Sequence, residues 1–301
     1  MMRALFVLTP TESKRLIGKA VAELEEVKYA RENDYLLIGH GSTNVYVAEE
    51  VLGREKLAEV MNRNAYLSGF TKCGVLCTTP GAEKPPVLVL KKGAVHPPAD
   101  TMSELLRDFG KDSVVVKGAN AVDPEGNAAA FMAHPEGGTI GWSIGTVVAR
   151  GIHLITPVGL EKLIPSVEDA VPMCGQRTFD YCQGLRVGLM PLSGATVVTE
   201  LQALHILTGV EACHVGSGGH GNSQGAVVLV AEGETQDIEK AIQLIESIKG
   251  EPPLEPMREV CEQCMIASPT QPKDYNTEGL PPICMHQGKK TDELPSYLKT
   301  R

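Results

Sequence analysis

A short apolar run, Tyr35-Leu36-Leu37-Ile38, passes directly into Gly39-His40-Gly41-Ser42-Thr43-Asn44, and a helical pattern of Val45, Val47, Ala48 and Val51 follows. A buried strand that turns through glycines into a helix restricts what the rest of the chain can do. The strand must be covered on both faces, and the helix start must lie at the carboxyl edge of a sheet. Such a start leaves backbone N–H groups without intrahelical partners, and together with the helix dipole they form a site for an anion. The glycines allow close backbone approach, and Ser42 and Thr43 add hydroxyl donors. The same residues also suit an ordinary turn in which Ser42 or Thr43 caps the helix. Both readings stay open at this level.

The flanking sequence repeats the alternation of apolar runs and helical patterns. Leu16, Ile17, Ala20, Val21, Leu24 and Val27 have helical spacing, with Thr11 as the expected cap. A further helix is expected over roughly 55–67 and a short one over 102–109. Val75–Cys77, Val87–Leu90, Val114–Val116 and Ile152–Ile155 read as short buried strands punctuated by Pro and Gly. This pattern predicts an α/β fold, a Rossmann-like parallel sheet core. Lys117–Asn127 then falls at a strand's carboxyl end, as Gly39–Asn44 does.

A second unit is expected from about residue 183. Strands at Val187–Met190, Val210–Val215 and Ala226–Val230, with helices at Val197–Leu207 and Ile238–Ile248, give a βαββα order that predicts a smaller ferredoxin-like α+β domain. After Gly250 the composition turns rich in Pro, Lys and Asp. The expected organisation is a core over 1–182, a small domain over 183–250 and an extended cysteine-containing tail over 251–301 that packs on the body.

The formal net charge of −9 argues against a general nucleic-acid binder, which needs a basic surface. A small anionic ligand needs only local donors and is compatible with it. No run of eighteen apolar residues occurs, so no membrane span is expected. The apolar start, Met1 to Leu8, is short and lacks a small-residue cleavage site, and a cytoplasmic protein is expected. A homo-oligomer is compatible with this reading.

Eight cysteines are scattered along the chain. In a chain this long they do not read as a secreted disulfide framework. The tail brings together Cys261-x-x-Cys264, Cys284 and His286. These soft ligands could hold a structural zinc, or thiolates alone an iron–sulfur cluster. The second pair does not have zinc-finger spacing, and reduced, unliganded thiols are the alternative.

Three segments together resemble the superfamily of ribose-5-phosphate isomerase, glucosamine-6-phosphate deaminase and the coenzyme A transferases. Leu37-Ile38-Gly39-His40-Gly41-Ser42-Thr43-Asn44 is similar to the isomerase phosphate loop. Lys117-Gly118-Ala119-Asn120-Ala121-Val122-Asp123 is similar to its Gly-Ala-Asp-Glu-Val-Asp segment. Gly137-Gly138-Thr139-Ile140-Gly141 is similar to its second glycine loop. The resemblance implies a small anionic metabolite, a sugar phosphate or nucleotide. It implies ligand contacts at Gly39, His40, Gly41, Ser42, Thr43, Asn44, Lys117, Gly118, Asn120, Gly137 and Gly138. It also implies Asp123 as catalytic base or hydroxyl ligand. The chain departs from the family at Asn120, where the isomerases carry an acid, and over Gly141–Val148, which lacks their catalytic glutamate. Glu136 is the acid nearest that position.

One more segment suggests function. Gly216 to Gly225 joins two strands of the expected small domain, and its Gly218, Gly219 and His220 have the permissive composition of a lid. The alternative is a plain hairpin loop. The readings carried forward are a divergent isomerase or lyase, a non-catalytic metabolite sensor, and a metal-binding protein defined by its tail.

Overall fold

The structure is a computed structural model, and it describes residues 1–264, 266 and 282–299. Part of the expected tail, residues 265, 267–281, 300 and 301, lies outside the described residues.

The first half runs β1 (Met2–Leu8), α1 (Pro10–Glu23), α2 (Glu25–Asn33), β2 (Tyr35–Ile38), α3 (Ser42–Leu52), α4 (Arg54–Val60), β3 (Phe70–Lys72), β4 (Val75–Cys77), β5 (Leu88–Lys91), β6 (Ala94–Val95), α5 (Met102–Leu105), β7 (Val114–Val116), β8 (Ala121–Val122), β9 (Ala128–Met132) and α6 (Gly138–Arg150). The rest is β10 (His153–Pro157), α7 (Val167–Ala170), β11 (Gly188–Pro191), β12 (Thr196–Val198), α8 (Glu200–Thr208), β13 (Glu211–Gly218), β14 (Ala226–Gly233), α9 (Thr235–Ile248) and α10 (Ser296–Lys299).

The central sheet has six strands in the order β12-β10-β7-β2-β5-β6. Its first four strands are mutually parallel, and β5 and β6 add an antiparallel edge. The fold is therefore mixed α/β. Alternate residues face opposite layers, as a strand's two-residue period requires. Leu36, Ile38, Val114 and Val116 pack with α1, α3, α8 and α9 in one core, and Leu37 and Val115 pack with α5 and α6 in the other. Burying an aliphatic side chain at one of these positions contributes about 1.5–3 kcal/mol. On the first face α1 and α3 approach closely at Gly18, where a Cβ would come within 2.9 Å of Tyr46.

Residues 183–250 do not fold apart from the rest. β11 pairs with β9, β12 joins the central sheet beside β10, and only β13 and β14 form the sheet expected of a small domain. That sheet takes its third strand from the amino terminus, because β1 pairs antiparallel with β14. The apolar start thus forms an edge strand. Local details also differ from expectation. Thr9, not Thr11, caps α1, its hydroxyl accepting from Glu12 N, with Pro10 at the first helical position. The single helix expected over Val197–Leu207 divides into β12 and α8, capped at Thr199. Among the described residues no helix is long and apolar enough to cross a membrane.

Candidate functional site

β2 and β7 are neighbours, yet the chain leaves them toward opposite faces. The segment after β2 enters α3 in the first core, and the segment after β7 reaches α6 in the second. Such a divergence opens a crevice at the carboxyl ends of the two strands. A cavity of about 410 Å³ lies there, lined by His40, Gly41, Ser42 and Thr43 after β2 and by Lys117, Gly118 and Asn120 after β7. An adjoining cavity of about 100 Å³ shares His40, Lys117 and Asn120 and adds Lys84, Gly137 and Gly138. The three glycine-bearing segments singled out in the sequence therefore meet at one crevice.

The two open readings of Gly39–Asn44 are separated by the cap. The residue preceding α3 is Gly41, and no side chain caps the helix. Ser42 and Thr43 sit inside the first turn and line the cavity. The cap of α6 is Gly137, again without a side-chain hydrogen bond. Gly137 is left-handed at φ 82°, and a Cβ there would fall 2.8 Å from Gly141 Cα. Two uncapped helix starts, from helices of 11 and 13 residues, thus border the paired cavities.

Buried Tyr66 holds the turn before α3. Its hydroxyl donates to the Ile38 carbonyl and accepts from Leu88 N at 2.8 Å, while its own carbonyl accepts from Gly41 N at 2.9 Å. Its ring lies 4.6 Å from that of His40. His40 Nε2 donates to the Pro85 carbonyl at 2.8 Å. Burial, followed by Lys84, pushes the His40 pKa down to about 3, so the imidazole is neutral at physiological pH. Gly39 and Asn44 do not line the cavities. Asn44 is fully buried and donates to the Gly39 carbonyl at 2.8 Å, which fixes the turn. Asn120 spans the crevice wall, donating to Gly69 O at 2.9 Å and accepting from Phe131 N at 3.0 Å.

Lysines dominate the charge of the crevice. Lys14, Lys117 and Lys162 line the larger cavity, and Lys84 and Lys117 the smaller. Lys14 pairs with Glu161 at 2.6 Å. The other three ammonium groups meet only neutral oxygens among the described residues. Lys84 donates to Thr78 Oγ1 at 3.0 Å, Lys162 to Ala119 O at 2.9 Å, and Lys117 to Gly118 O at 3.4 Å. Each retains some solvent contact but is walled in by protein, and burial pushes each pKa down to about 8. Lys117 further lowers Lys84, and Lys162 lowers Lys117. Glu161 is the only carboxylate among the described lining residues of either cavity. Burial works to raise it, but Lys14 and then Lys162 hold it below the usual range.

Several expectations are corrected here. Asp123 does not line the crevice. Its carboxylate accepts from Asn127 N at 2.8 Å, Asn127 Nδ2 at 3.1 Å and Val167 N at 3.0 Å, which is turn chemistry. Glu136 is exposed and accepts from Trp142 Nε1 at 3.2 Å, also outside both cavities. Gly218, Gly219 and His220 are exposed at the end of β13 and line neither cavity. The crevice is instead walled by Leu67–Thr71 and by Pro253, Leu254 and Pro256 of the tail. Among the described residues, no group of three or more His, Cys, Asp or Glu side chains is set to hold a metal ion, so Cys261, Cys264, Cys284 and His286 do not form a closed single-ion shell.

Sequence reasoning missed Lys14, Lys84, Lys162, Glu161 and Tyr66. Glu161 and Lys162 follow β10, the next parallel strand, and that position was the available signal. Lys84 comes from a Pro-rich connection with no pattern of its own. Comparison with protein-family models, with curated proteins and with solved structures finds no match to this chain.

Proposed function

We propose that this chain binds a small polyanionic metabolite of the sugar-phosphate or nucleotide class, with a phosphoryl group at the start of α3. One observation carries this reading. Three lysines whose direct contacts among the described residues are neutral oxygens converge on a crevice bordered by two uncapped helix starts. Confined like charges are unfavourable in the absence of a counter-anion, and a ligand that neutralises them gains both Coulomb energy and charge-assisted hydrogen bonds. The chain's net charge of −9 makes this local excess of cations more pointed.

The reaction class we infer is isomerase or lyase chemistry, divergent from the ribose-5-phosphate isomerase and coenzyme A transferase pattern. Its Rossmann-like core and ferredoxin-like unit remain part of the same reading. Proton transfer between adjacent carbons needs a carboxylate or comparable base near the ligand. Glu161 meets that requirement by position, and Asp123 and Glu136 do not. Lys14 and Lys162 keep Glu161 ionised, as a base must be before it accepts a proton. The alternative, a non-catalytic metabolite sensor, is favoured by the absence of a second carboxylate among the described lining residues.

Thermal shift and calorimetry with inorganic phosphate, ribose 5-phosphate, a nucleoside monophosphate and acetyl-coenzyme A test the binding. Stabilisation by at least one phosphorylated compound is expected, because a ligand of the native state raises apparent stability. Indifference to all of them overturns the reading.

A further inference from the structure

The crevice does not account for the cysteines, and the fold gathers four of them behind its wall. β4 carries Cys77. Its neighbour Leu76 donates to Gln183 O and accepts from Leu185 N, each at 2.9 Å. Leu185 in turn bridges antiparallel to Cys284, with Arg186 N donating to Ile283 O at 2.8 Å and Met285 N to Gly184 O at 2.9 Å. Three paired backbone segments thus set Cys77 and Cys284 on the two sides of one extended segment. Gly288 N then donates to Cys261 O at 2.8 Å, which ties the Cys261–Cys264 turn to the Cys284–Gly288 turn. Cys261 also packs against Val75 of β4 and Leu298 of α10.

The four sulfurs are free and half-buried, and they share one electrostatic neighbourhood. Cys264 faces Cys77, Cys284 and Cys261, while Cys284 faces Cys77 and Cys261. Two donors already point at sulfur. Arg258 Nη2 lies 3.4 Å from Cys261 Sγ, and His286 N lies 3.4 Å from Cys284 Sγ. The second contact, from an amide two residues after the cysteine, is the kind of bond that stabilises a ligating thiolate. Arg258 also faces Cys77 and Cys73, so it supplies a cation beside thiolates that would otherwise repel one another.

Four thiolates suit either a single ion or a larger group. A tetrahedral zinc with Zn–S bonds of about 2.3 Å needs its sulfurs about 3.8 Å apart. Among the described residues no group of three or more His, Cys, Asp or Glu side chains is set to hold a single metal ion. A polynuclear cluster holds its cysteines farther apart, and four thiolates with no histidine are its usual ligand set.

We propose that Cys77, Cys261, Cys264 and Cys284 bind a [4Fe–4S] cluster. Cys77, from the body, takes the place assigned to His286 on sequence spacing. The cluster would lie beside the crevice, since Leu76, Leu185 and Ile283 line the cavities and Lys84 faces Cys77. It would also lock the tail onto the body, which covalent chain connectivity alone does not do.

The test loads the full, anaerobically purified chain with a preformed [4Fe–4S] cluster carrying four 2-mercaptoethanol thiolates. As each Fe–Sγ bond forms, the cysteine proton passes to the departing thiolate, so four thiols enter, four leave and no electron moves. About four iron and four sulfide per chain are expected, with visible charge-transfer absorption and an electron paramagnetic resonance signal after dithionite reduction. Cys77→Ser and Cys284→Ser are expected to lose the cluster, with native circular dichroism confirming that each variant folds. Cys73→Ser, Cys213→Ser and His286→Asn are expected to retain it. Full loading of a folded Cys77→Ser overturns the proposal. So does loss of the cluster in His286→Asn, or stoichiometric zinc with failure to accept the cluster.

Discussion

Arg15 on α1 and Glu251 at the start of the tail form an ion pair at 3.0 Å, with both side chains almost wholly withdrawn from solvent. Arg15 also pairs with Glu49 and, at 2.7 Å, with Glu50 on α3, and Arg54 reaches Glu251 at 2.6 Å. The tail therefore leaves α9 clamped to α1 and α3, and two residues later Pro253 and Leu254 wall the crevice. Arg15→Ala leaves Glu49 and Glu251 buried with fewer cations. A loss of about 3–5 kcal/mol is expected in chemical denaturation. Limited proteolysis is expected to cut the variant's tail faster than the parent's. An unchanged denaturation midpoint and cleavage rate would show that the clamp has no such role.

The crevice lysines give opposite pH trends for stability and binding. Lys84, Lys117 and Lys162 each stand at about 8 in the folded chain, against about 10.4 unfolded. Between those values the unfolded chain binds more protons, so these groups make stability rise with pH across that window and penalise the folded state below it. Anion affinity runs the other way and weakens as pH passes about 8. Sulfate keeps its charge throughout and is a suitable probe. Its dissociation constant is expected to rise roughly tenfold or more from pH 7 to 9.5, and Lys117→Gln is expected to weaken it about 10–150-fold at pH 7. Affinity independent of pH would remove the lysines from the binding account.

Glu161→Gln separates enzyme from sensor. It removes the one carboxylate among the described lining residues while keeping the side chain's shape. Phosphate-ester binding is expected to tighten, because a repelling charge is lost and Lys14 is freed. If Glu161 is the base, turnover of any compound that the parent converts is expected to fall at least 100-fold. Retained turnover would exclude that role.

Asp123→Asn tests the turn assignment. The carboxylate accepts three hydrogen bonds that hold its pKa below the usual range, even though burial alone would raise it. Its stabilisation is present above the unfolded carboxylate range and is lost as pH falls through the lower, folded value. The variant is expected to lose about 1–3 kcal/mol at pH 7, with sulfate affinity unchanged within twofold by calorimetry. A large loss of affinity would return Asp123 to the site.

What the sequence determined is local. Tyr35–Ile38 and Val114–Val116 are apolar on both faces, so burial in a covered sheet follows from their composition. Gly39–Thr43 and Gly137–Gly138 announce helix starts, and at Gly137 and Gly138 the backbone is left-handed, which favours glycine. The tertiary structure decided what depends on distant partners. Whether Ser42 capped α3 depended on where Gly41 N found Tyr66 O, a contact no local pattern encodes. Asp123, after antiparallel β8, and Glu161, after parallel β10, are both acids that follow strand ends. Only packing spent the first on Asn127 and Val167 and turned the second toward Lys14. Met2–Leu8 became the edge of a sheet because β14, more than two hundred residues later, offered an unpaired ladder. The same physics makes Cys77 a neighbour of Cys284: short-range patterns fix which groups a chain offers, and long-range backbone pairing fixes which of them meet.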